Sequence, residues 1–416
     1  MYIIAVLMYM LTYNAKPEDG EERWITVFNV NEHISFFINN DSFDFINLTH
    51  DNSKVIASHW QSRPLIFYIL GTVYSTVDEL MHILSLDRLQ DHYQKNIFWI
   101  SIGICIIMNF IIIAVSIIWI GKYLGDRVPR VLFGLAFSLL AFYVSSNNIV
   151  GAYWISGSWN MFHFAIPAVA TFLLLKYNKV TAIKHCFIYG IFSGILPLLY
   201  PAFYLLFIIF PLFIIVKCAI DEKCWNCLNK CSPKIFLYAI GFLIPLLLWK
   251  AIILYNDIPN NVTEITKYKL FIWPIIVYNE HGFGSMMEVV WSRFIIYNKL
   301  LGKLGIVEII FFLLAISIHL FFIKKGTIKI SSITNSIQLK LLIILLSSYF
   351  FWFFMGLYRW NYCICTIFVL FLYSLFSFPQ FVEKKPYFKS VLYLFYLFIF
   401  LSQVINQYIL DHKYWS

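Results

Sequence analysis

The run IFWISIGICIIMNFIIIAVSIIWIG, residues 97–121, contains 25 residues without a single charged side chain. An α-helix rises about 1.5 Å per residue, so roughly 20 apolar residues are enough to cross the ~30 Å hydrocarbon core of a bilayer. This run therefore predicts a membrane-spanning helix. Comparable apolar runs recur through the rest of the chain, and together they indicate a polytopic membrane protein.

The composition of the whole chain agrees with this class. Of its 416 residues, 61% are hydrophobic and 13% are charged, which is far outside the averages of soluble proteins. Nine further apolar runs are predicted as spans, and a short apolar helix over residues 1–13 brings the expected total to about eleven. The nine runs are residues 131–147, 160–176, 185–199, 201–216, 235–255, 304–323, 341–358, 361–379 and 390–410.

One boundary between spans depends on a proline. Residues 185–216 are short for two crossings, yet basic residues flank both ends of this segment. Because the residue before a proline disfavours the helical conformation, we divide the segment at Leu199, Tyr200 and Pro201.

The positive charges are clustered. Of the 31 Lys and Arg residues, 17 lie in five short segments between predicted spans. By the positive-inside rule these segments are cytoplasmic, so residues 1–416 form one membrane domain with two large external loops, 14–96 and 256–303. The formal charge of +9 is thereby explained by membrane orientation, and nucleic-acid binding is not expected. The five basic segments are residues 122–130, 176–184, 217–234, 324–340 and 384–389.

The first external loop contains two predicted interfacial helices. Between residues 27 and 38 the apolar side chains recur at helical spacing, which predicts an amphipathic helix on the membrane surface. Residues 64–84 are apolar enough to enter the bilayer, but their acidic residues make deep burial costly, so we expect an interfacial or re-entrant helix. The apolar positions of the first helix are Val27, Val30, Ile34, Phe37 and Ile38.

A cluster of acids follows the first predicted span. The stretch PEDGEERW, residues 17–24, contains four carboxylates, among them Asp19, Glu21 and Glu22. An ionised carboxylate at the membrane surface can act as the general base on a sugar hydroxyl. The same residues also fit a solvated acidic turn that caps the next helix. A second candidate for the base is the pair Asp78 and Glu79, which also fits a structural polar face.

Arg and Trp residues near the predicted external surface are candidates for binding a lipid phosphate and a sugar. Arg63 can hold a phosphate by bidentate hydrogen bonds, and Trp60 can stack on a sugar ring. Arg359 is isolated at the external end of a span, and Arg293 lies among aromatic and polar residues of the second external loop. The alternative role for Arg63, Trp60 and Arg359 is an interfacial anchor. The alternative role for Arg293 is as part of a folded lid.

No cofactor is expected from the motifs. Four cysteines, Cys218, Cys224, Cys227 and Cys231, lie in a predicted cytoplasmic loop, but only their CxxC core fits a zinc site, so we favour reduced structural thiols. A phosphate-binding glycine loop and a dinucleotide fingerprint are missing from the sequence. A cytoplasmic nucleotide is therefore not expected as the sugar donor.

The chain resembles the GT-C fold of glycosyltransferases that use polyprenyl-phosphate sugars. The resemblance rests on a first span, an acidic external loop that contains PEDGEERW and HWQSRPL, and later spans with Arg and aromatic residues at their external ends. In size, composition and loop layout the chain is similar to phage-encoded serotype-converting O-antigen glucosyltransferases (Gtr type).

This resemblance implies a reaction and a location. Glucose would pass from undecaprenyl-phosphate-glucose to an O-antigen sugar of lipopolysaccharide, on the periplasmic face of the bacterial inner membrane and with inversion. One acid among Asp19, Glu21 and Glu22 would be the base, and Arg359 or Arg63 would stabilise the departing polyprenyl phosphate. This mechanism requires no metal, although it does not exclude a divalent cation.

Two other functions fit a chain of this kind. A transporter or flippase of lipid-linked glycans would be marked by buried charges within spans and by broken helices in repeated halves, and neither is clear in the sequence. An O-antigen polymerase would concentrate its Arg residues in large external loops late in the chain.

Overall fold

The computed structural model describes the chain in segments and is almost entirely helical within them. The described residues are 25–29, 35–39, seven positions between 64 and 79, 114, 118–126, 128–146, 162–177, 183–222, 227–255, 270–326, 336–356 and 360–413. The named helices are α1 (Arg130–Ser146), α2 (Phe162–Tyr177), α3 (Ile183–Leu199), α4 (Leu205–Glu222), α5 (Cys227–Tyr255), α6 (Trp273–Lys324), α7 (Ile337–Met355), α8 (Trp360–Lys384) and α9 (Lys389–Lys413).

Five helical segments in the described part are long and apolar enough to cross a membrane. They confirm a helical membrane protein. Eleven spans remain a prediction. Residues 1–13 and most of 97–121 lie outside the described residues, and the predicted spans 131–147, 160–176, 185–199 and 390–410 are helical where they are described but are not among the five. The five segments are Pro201–Ile220, Cys231–Tyr255, Trp273–Lys324, Ile337–Met355 and Cys363–Lys384.

Helix α8 is the centre of the bundle. It contacts α1, α2, α6, α7 and α9, and 94% of its most apolar 18 residues are buried inside the protein. A helix that is apolar on all sides can bury its whole surface only when other helices surround it. Phe371 and Phe376, for example, are fully buried.

The neighbours of α8 alternate in direction. Along α6 and α8, Tyr297 meets Thr366 near one end, and His319 meets Phe381 near the other, so these two helices are parallel. Helix α7 is antiparallel to both, since its first turn places the Gln338 amide 3.0 Å from Gln380 near the end of α8.

The helix ends beside the five basic segments meet at one end of the bundle, which we name the basic end. Five contacts join them: Lys122 and Lys176 each over the Trp119 ring, Tyr123 against Phe376, Lys340 over Phe213, and Gln338 against Gln380. This arrangement agrees with the prediction that the basic segments share one side. The side of the membrane on which they lie remains a prediction.

Topology can be tested by cysteine labelling from each side of the membrane. Lys384 and Glu280 are both exposed, so a cysteine at either position is open to reagent. We expect an impermeant maleimide added outside to label Glu280→Cys and to spare Lys384→Cys until the membrane is permeabilised. Labelling of Lys384→Cys in intact cells would contradict the predicted orientation.

Helices α3 and α5 make the most extensive helix contact in the described part of the chain. Their backbones touch at three glycines, of which Gly190 and Gly194 form a GxxxG pair in α3 and Gly241 lies in α5. A Cβ added at Gly194 would overlap the Phe242 carbonyl oxygen and would lie 2.8 Å from the Phe242 carbonyl carbon. Small residues of this kind let membrane helices approach closely enough for dense packing.

The predicted boundary at residues 199–201 is confirmed. Helix α3 ends at Leu199, Tyr200 is extended with φ −154° and ψ 122°, and Pro201–Tyr204 forms a 3₁₀ turn that leads into α4. The restriction that proline imposes on the preceding residue explains this break.

The amphipathic helix expected between residues 27 and 38 is wrong. Strands β1 (Ile25–Asn29) and β2 (Ser35–Asn39) form an antiparallel pair with Val27 opposite Phe37. The two sequences, ITVFN and SFFIN, are rich in β-branched and aromatic residues, which favour strands. Val30 and Ile34, which completed the helical spacing, lie outside the described residues.

The second piece of the first predicted external loop is helical at the described positions. The Thr72 hydroxyl donates to the Tyr68 carbonyl oxygen at 2.8 Å, one helical turn back. The Tyr68 ring lies edge-on to Trp249 of α5, with 6.1 Å between the ring centres. This piece therefore packs against the bundle, while its depth in the membrane remains a prediction.

Candidate functional site at the end of helix α7

Helix α6 folds back on itself at its beginning. Gly282 has φ 81° and ψ 179°, a conformation that only glycine adopts readily, and it separates two helical arms. Trp273 and Arg293 lie 20 residues apart and would be about 30 Å apart along a straight helix. In the folded chain the Arg293 guanidinium carbon is 4.1 Å from the centre of the Trp273 ring. Residues 273–293 therefore form a helical hairpin, within the segment 256–303 predicted as an external loop.

The hairpin closes over the last turn of α7. The indole nitrogen of buried Trp273 donates to the Phe354 carbonyl oxygen at 2.9 Å, and Arg293 Nη1 donates to the Gly356 carbonyl oxygen at 3.4 Å. We call Trp273, Arg293 and Gly356 the arginine clamp. The carbonyl groups at a helix end carry partial negative charge, which favours a cation at this position.

Gly356 is required by the geometry of the clamp. It ends α7 in the left-handed conformation, with φ 81° and ψ 0°. A Cβ added there would lie 2.7 Å from Arg293 Nη1 and 2.8 Å from Trp273 Cδ1. Any other residue would therefore both strain the backbone and push the guanidinium away.

The chain enters the hairpin through a strained residue. Phe271 has φ 62°, which is unusual for a bulky side chain, and its ring packs at 5.0 Å from Phe351 of α7. Such strain persists only where the surroundings enforce it, and it often accompanies functional sites. Here it turns the chain so that Trp273 enters the bundle two residues later.

The guanidinium of Arg293 keeps donors available for a ligand. The side chain is half-buried, and among the described residues no carboxylate lies within ion-pair distance of it. Nη1 is occupied by Gly356, while arginine carries five N–H donors in a planar fork. A cation whose planar donors remain open, held on an aromatic ring, is suited to binding a phosphate group.

Exposed aromatic and apolar residues lie on the hairpin that carries the clamp. Trp291 is 63% exposed and stacks on Phe294, with 5.5 Å between ring centres and 15° between ring planes. At the tip of the hairpin, Tyr278, Phe283 and Met287 are also exposed. This apolar arm matches a segment that lies in the membrane interface, where aromatic residues concentrate.

A chain of polar side chains continues inward from the clamp. One turn after Arg293, the Tyr297 hydroxyl lies 3.3 Å from Thr366, and Asn298 exchanges hydrogen bonds with Tyr349 at 2.8 and 3.1 Å. These contacts join α6 to α7 and α8. They fix the rotation of α6 about its axis and with it the position of Arg293.

Farther inside, α6 carries a buried carboxyl group. The Tyr143 hydroxyl donates to Glu308 at 3.0 Å, and the exposed fractions of the two side chains are 1% and 2%. The Tyr143 ring stacks on Phe371, with 4.0 Å between ring centres. Gly305, three residues earlier, departs from helical geometry with φ −132° and ψ 30°.

Of the catalytic and substrate-binding candidates that the sequence singled out, Arg293 and Glu79 are described. Arg293 belongs to the clamp, while Glu79 is an exposed residue of the helical piece that begins at position 64. Arg359 follows Gly356 by three residues in sequence. The other candidates, together with Arg359, lie outside the described residues: Asp19, Glu21, Glu22, Trp60, Arg63 and Asp78.

Sequence reasoning missed the buried pair and the reversal of the hairpin. Glu308 was visible as an acid within a predicted span, but its partner Tyr143 lies 165 residues away. The reversal had a signal in Gly282 and Gly284, two glycines flanking Phe283.

Among the described residues, no group of three or more His, Cys, Asp and Glu side chains is placed to hold a metal ion. The Cys231 thiol, at the start of α5, donates to the Ile214 carbonyl oxygen of α4 at 3.7 Å. This contact fits the structural role expected for that cysteine. Comparison with protein-family models, curated proteins and solved structures found no match to this chain.

Proposed function

We propose that the protein is a membrane glycosyltransferase of GT-C type. It moves glucose from undecaprenyl-phosphate-glucose to an O-antigen sugar of lipopolysaccharide, with the active site on the periplasmic face of the bacterial inner membrane. The resemblance of its span and loop layout to such enzymes supports this proposal. The observation that carries it is the arginine clamp.

The position of the clamp suits a lipid-borne donor. It lies at the end of α7 opposite the basic end, because Gly356 closes the helix whose first turn contains Gln338 and Lys340. If the basic segments lie in the cytoplasm, the clamp lies on the external side of the membrane. Arg359 follows Gly356 of the clamp by three residues in the sequence. A polyprenyl phosphate anchored in the bilayer presents its phosphate at this level.

The proposed reaction is a single displacement. A carboxylate of the first external loop removes the proton from an acceptor hydroxyl, and that oxygen forms a bond to the anomeric carbon of glucose. The bond from this carbon to the phosphate oxygen breaks, and the electron pair leaves with polyprenyl phosphate. Arg293, with Arg359 or Arg63, stabilises the charge that develops on this phosphate. Exposed Trp291 provides an aromatic face for a sugar ring.

The clamp is tested by replacing Arg293. A hydrogen bond to a charged group is worth about 1.5–3 kcal/mol, so Arg293→Ala is expected to lower kcat/KM for undecaprenyl-phosphate-glucose roughly 10- to 100-fold. Arg293→Lys should restore part of the loss, because lysine keeps the charge without the planar fork. The assay is transfer of labelled glucose in membranes with matched protein levels.

Lys299→Ala is the matched control for this experiment. Lys299 is an exposed cation on the same helix, six residues after Arg293. Its removal should leave transfer unchanged. Equal transfer rates for Arg293→Ala and the parent protein would show that the clamp takes no part in the reaction.

A transporter of lipid-linked glycans is the second candidate. Buried charge within a span and broken helices were the features expected of a transporter, and α6 has Glu308 beside the irregular Gly305. An assay in detergent solution distinguishes the two functions, because a micelle has no two leaflets between which a lipid can be moved. A glycosyltransferase still forms the new glycosidic linkage there, whereas a transporter yields no product.

A further inference from the structure

At the basic end, one tryptophan ring is shared by two lysines from different helices. Trp119 belongs to the helical stretch 118–125, as does Lys122, while Lys176 lies in the last turn of α2. The Lys176 ammonium lies 3.8 Å from the centre of the Trp119 ring, and the Lys122 ammonium lies 5.6 Å from it. Phe172, one turn before Lys176, packs on the same ring at 5.5 Å.

The two ammonium groups share one ring and lack a counterion in the described part of the chain. Both distances are measured to one ring centre, so the nitrogens are separated by no more than the sum, 9.4 Å. No described carboxylate lies within ion-pair distance of either lysine, although Asp126 follows Lys122 by one helical turn. Two like charges on one ring repel each other, and an anion between them would remove that repulsion.

The surroundings of the two lysines favour the head group of a membrane lipid as the anion. Trp119 and Lys176 are half-buried and Lys122 is exposed, so the cluster opens at the surface of the bundle. Ile118, which precedes Trp119 in the sequence, is 62% exposed and provides an apolar surface for an acyl chain. Basic pockets between membrane helices on the cytoplasmic side bind the head groups of anionic lipids.

We propose that Trp119, Lys122 and Lys176 form a binding site for the phosphate of an anionic phospholipid. The phosphate oxygens accept hydrogen bonds of about 2.8 Å from both ammonium groups, and the cation–π contacts with the ring hold these groups in place. The site joins α2 to the helical stretch that precedes α1. It is independent of the proposed glycosyl transfer, because it lies at the end of the bundle opposite the arginine clamp.

The test uses the full chain in detergent, titrated with phosphatidylglycerol, phosphatidylcholine or inorganic phosphate and observed by native mass spectrometry. Phosphatidylglycerol is expected to bind at least tenfold tighter than phosphatidylcholine, and the double variant Lys122→Gln, Lys176→Gln should lose about tenfold in affinity for it. Trp119→Leu should weaken binding as well, while Trp119→Phe should retain most of it.

The matched control removes two other lysines of the basic end. Lys385 and Lys389 are exposed, and Lys385→Gln, Lys389→Gln changes the net charge equally without touching the Trp119 ring. This control should stay within threefold of the parent protein. If the double variant of the site fails to fold, the affinity of the single variant Lys176→Gln for phosphatidylglycerol is measured instead.

Three results would overturn the proposal. An equal loss in the site variant and the control would show general attraction to a basic surface. Displacement of phosphatidylglycerol by an equal concentration of inorganic phosphate would show that the ligand is soluble phosphate. Equal binding of phosphatidylcholine would show that the anionic charge is not recognised.

Discussion

Replacing Asp19 by Asn, Glu21 by Gln and Glu22 by Gln, one at a time, is expected to yield at least one variant whose glucosylation rate is lower by about 10²- to 10⁴-fold. That range is the usual contribution of a general base. Each change keeps the size of the side chain and removes its ability to accept the proton. The rate is measured as transfer of glucose to the lipid-linked acceptor in membranes with matched protein levels.

The second acidic cluster supplies the control for this prediction. Asp78→Asn and Glu79→Gln are expected to transfer glucose at the parent rate, and Glu79 is exposed in the structure. If the three changes at Asp19, Glu21 and Glu22 are harmless and Asp78→Asn is inactive, the base belongs to the second cluster. The first cluster is then only an acidic turn.

Gly194→Leu is expected to abolish most of the folded protein. A Cβ at this position overlaps the Phe242 carbonyl oxygen of α5, and backbone atoms cannot move aside as the end of a side chain can. Overpacking a core typically costs about 1–3 kcal/mol, and a clash between two backbones should reach or exceed the upper part of that range. Yield of monodisperse protein and its thermal unfolding in detergent measure the effect.

A glycine in open space is the matched control. Gly134 of α1 is exposed and has no atom within 4 Å of an added Cβ, so Gly134→Leu should leave the Tm nearly unchanged. Equal stability of Gly194→Leu and Gly134→Leu would mean that α3 and α5 do not touch as the structure shows.

The features that could be predicted from sequence are those set by local chemistry. Apolar run length identified the helical membrane class, and Pro201 marked a helix break correctly. Apolar spacing failed between residues 27 and 38, because five apolar positions fitted a helix although the β-branched and aromatic residues favour strands. There, residue type outweighed spacing.

The candidate site was only partly predictable because its parts come from distant positions. Arg293 was recognised by its type and by its predicted external position. Its contacts with Trp273 and Gly356 depend on a chain reversal and on the docking of α6 against α7, which no short window contains. The pairing of Glu308 with Tyr143 likewise depends on how α1, α6 and α8 assemble.

The reversal at Gly282 also affects how this protein can change in evolution. In a continuous helix each inserted residue rotates everything after it by about 100°, so an insertion between two cooperating side chains separates them. In a hairpin, residues added at the tip lengthen the arm and leave the facing positions Trp273 and Arg293 together. The tip can therefore vary in length and composition among descendants of this sequence while the guanidinium keeps its place.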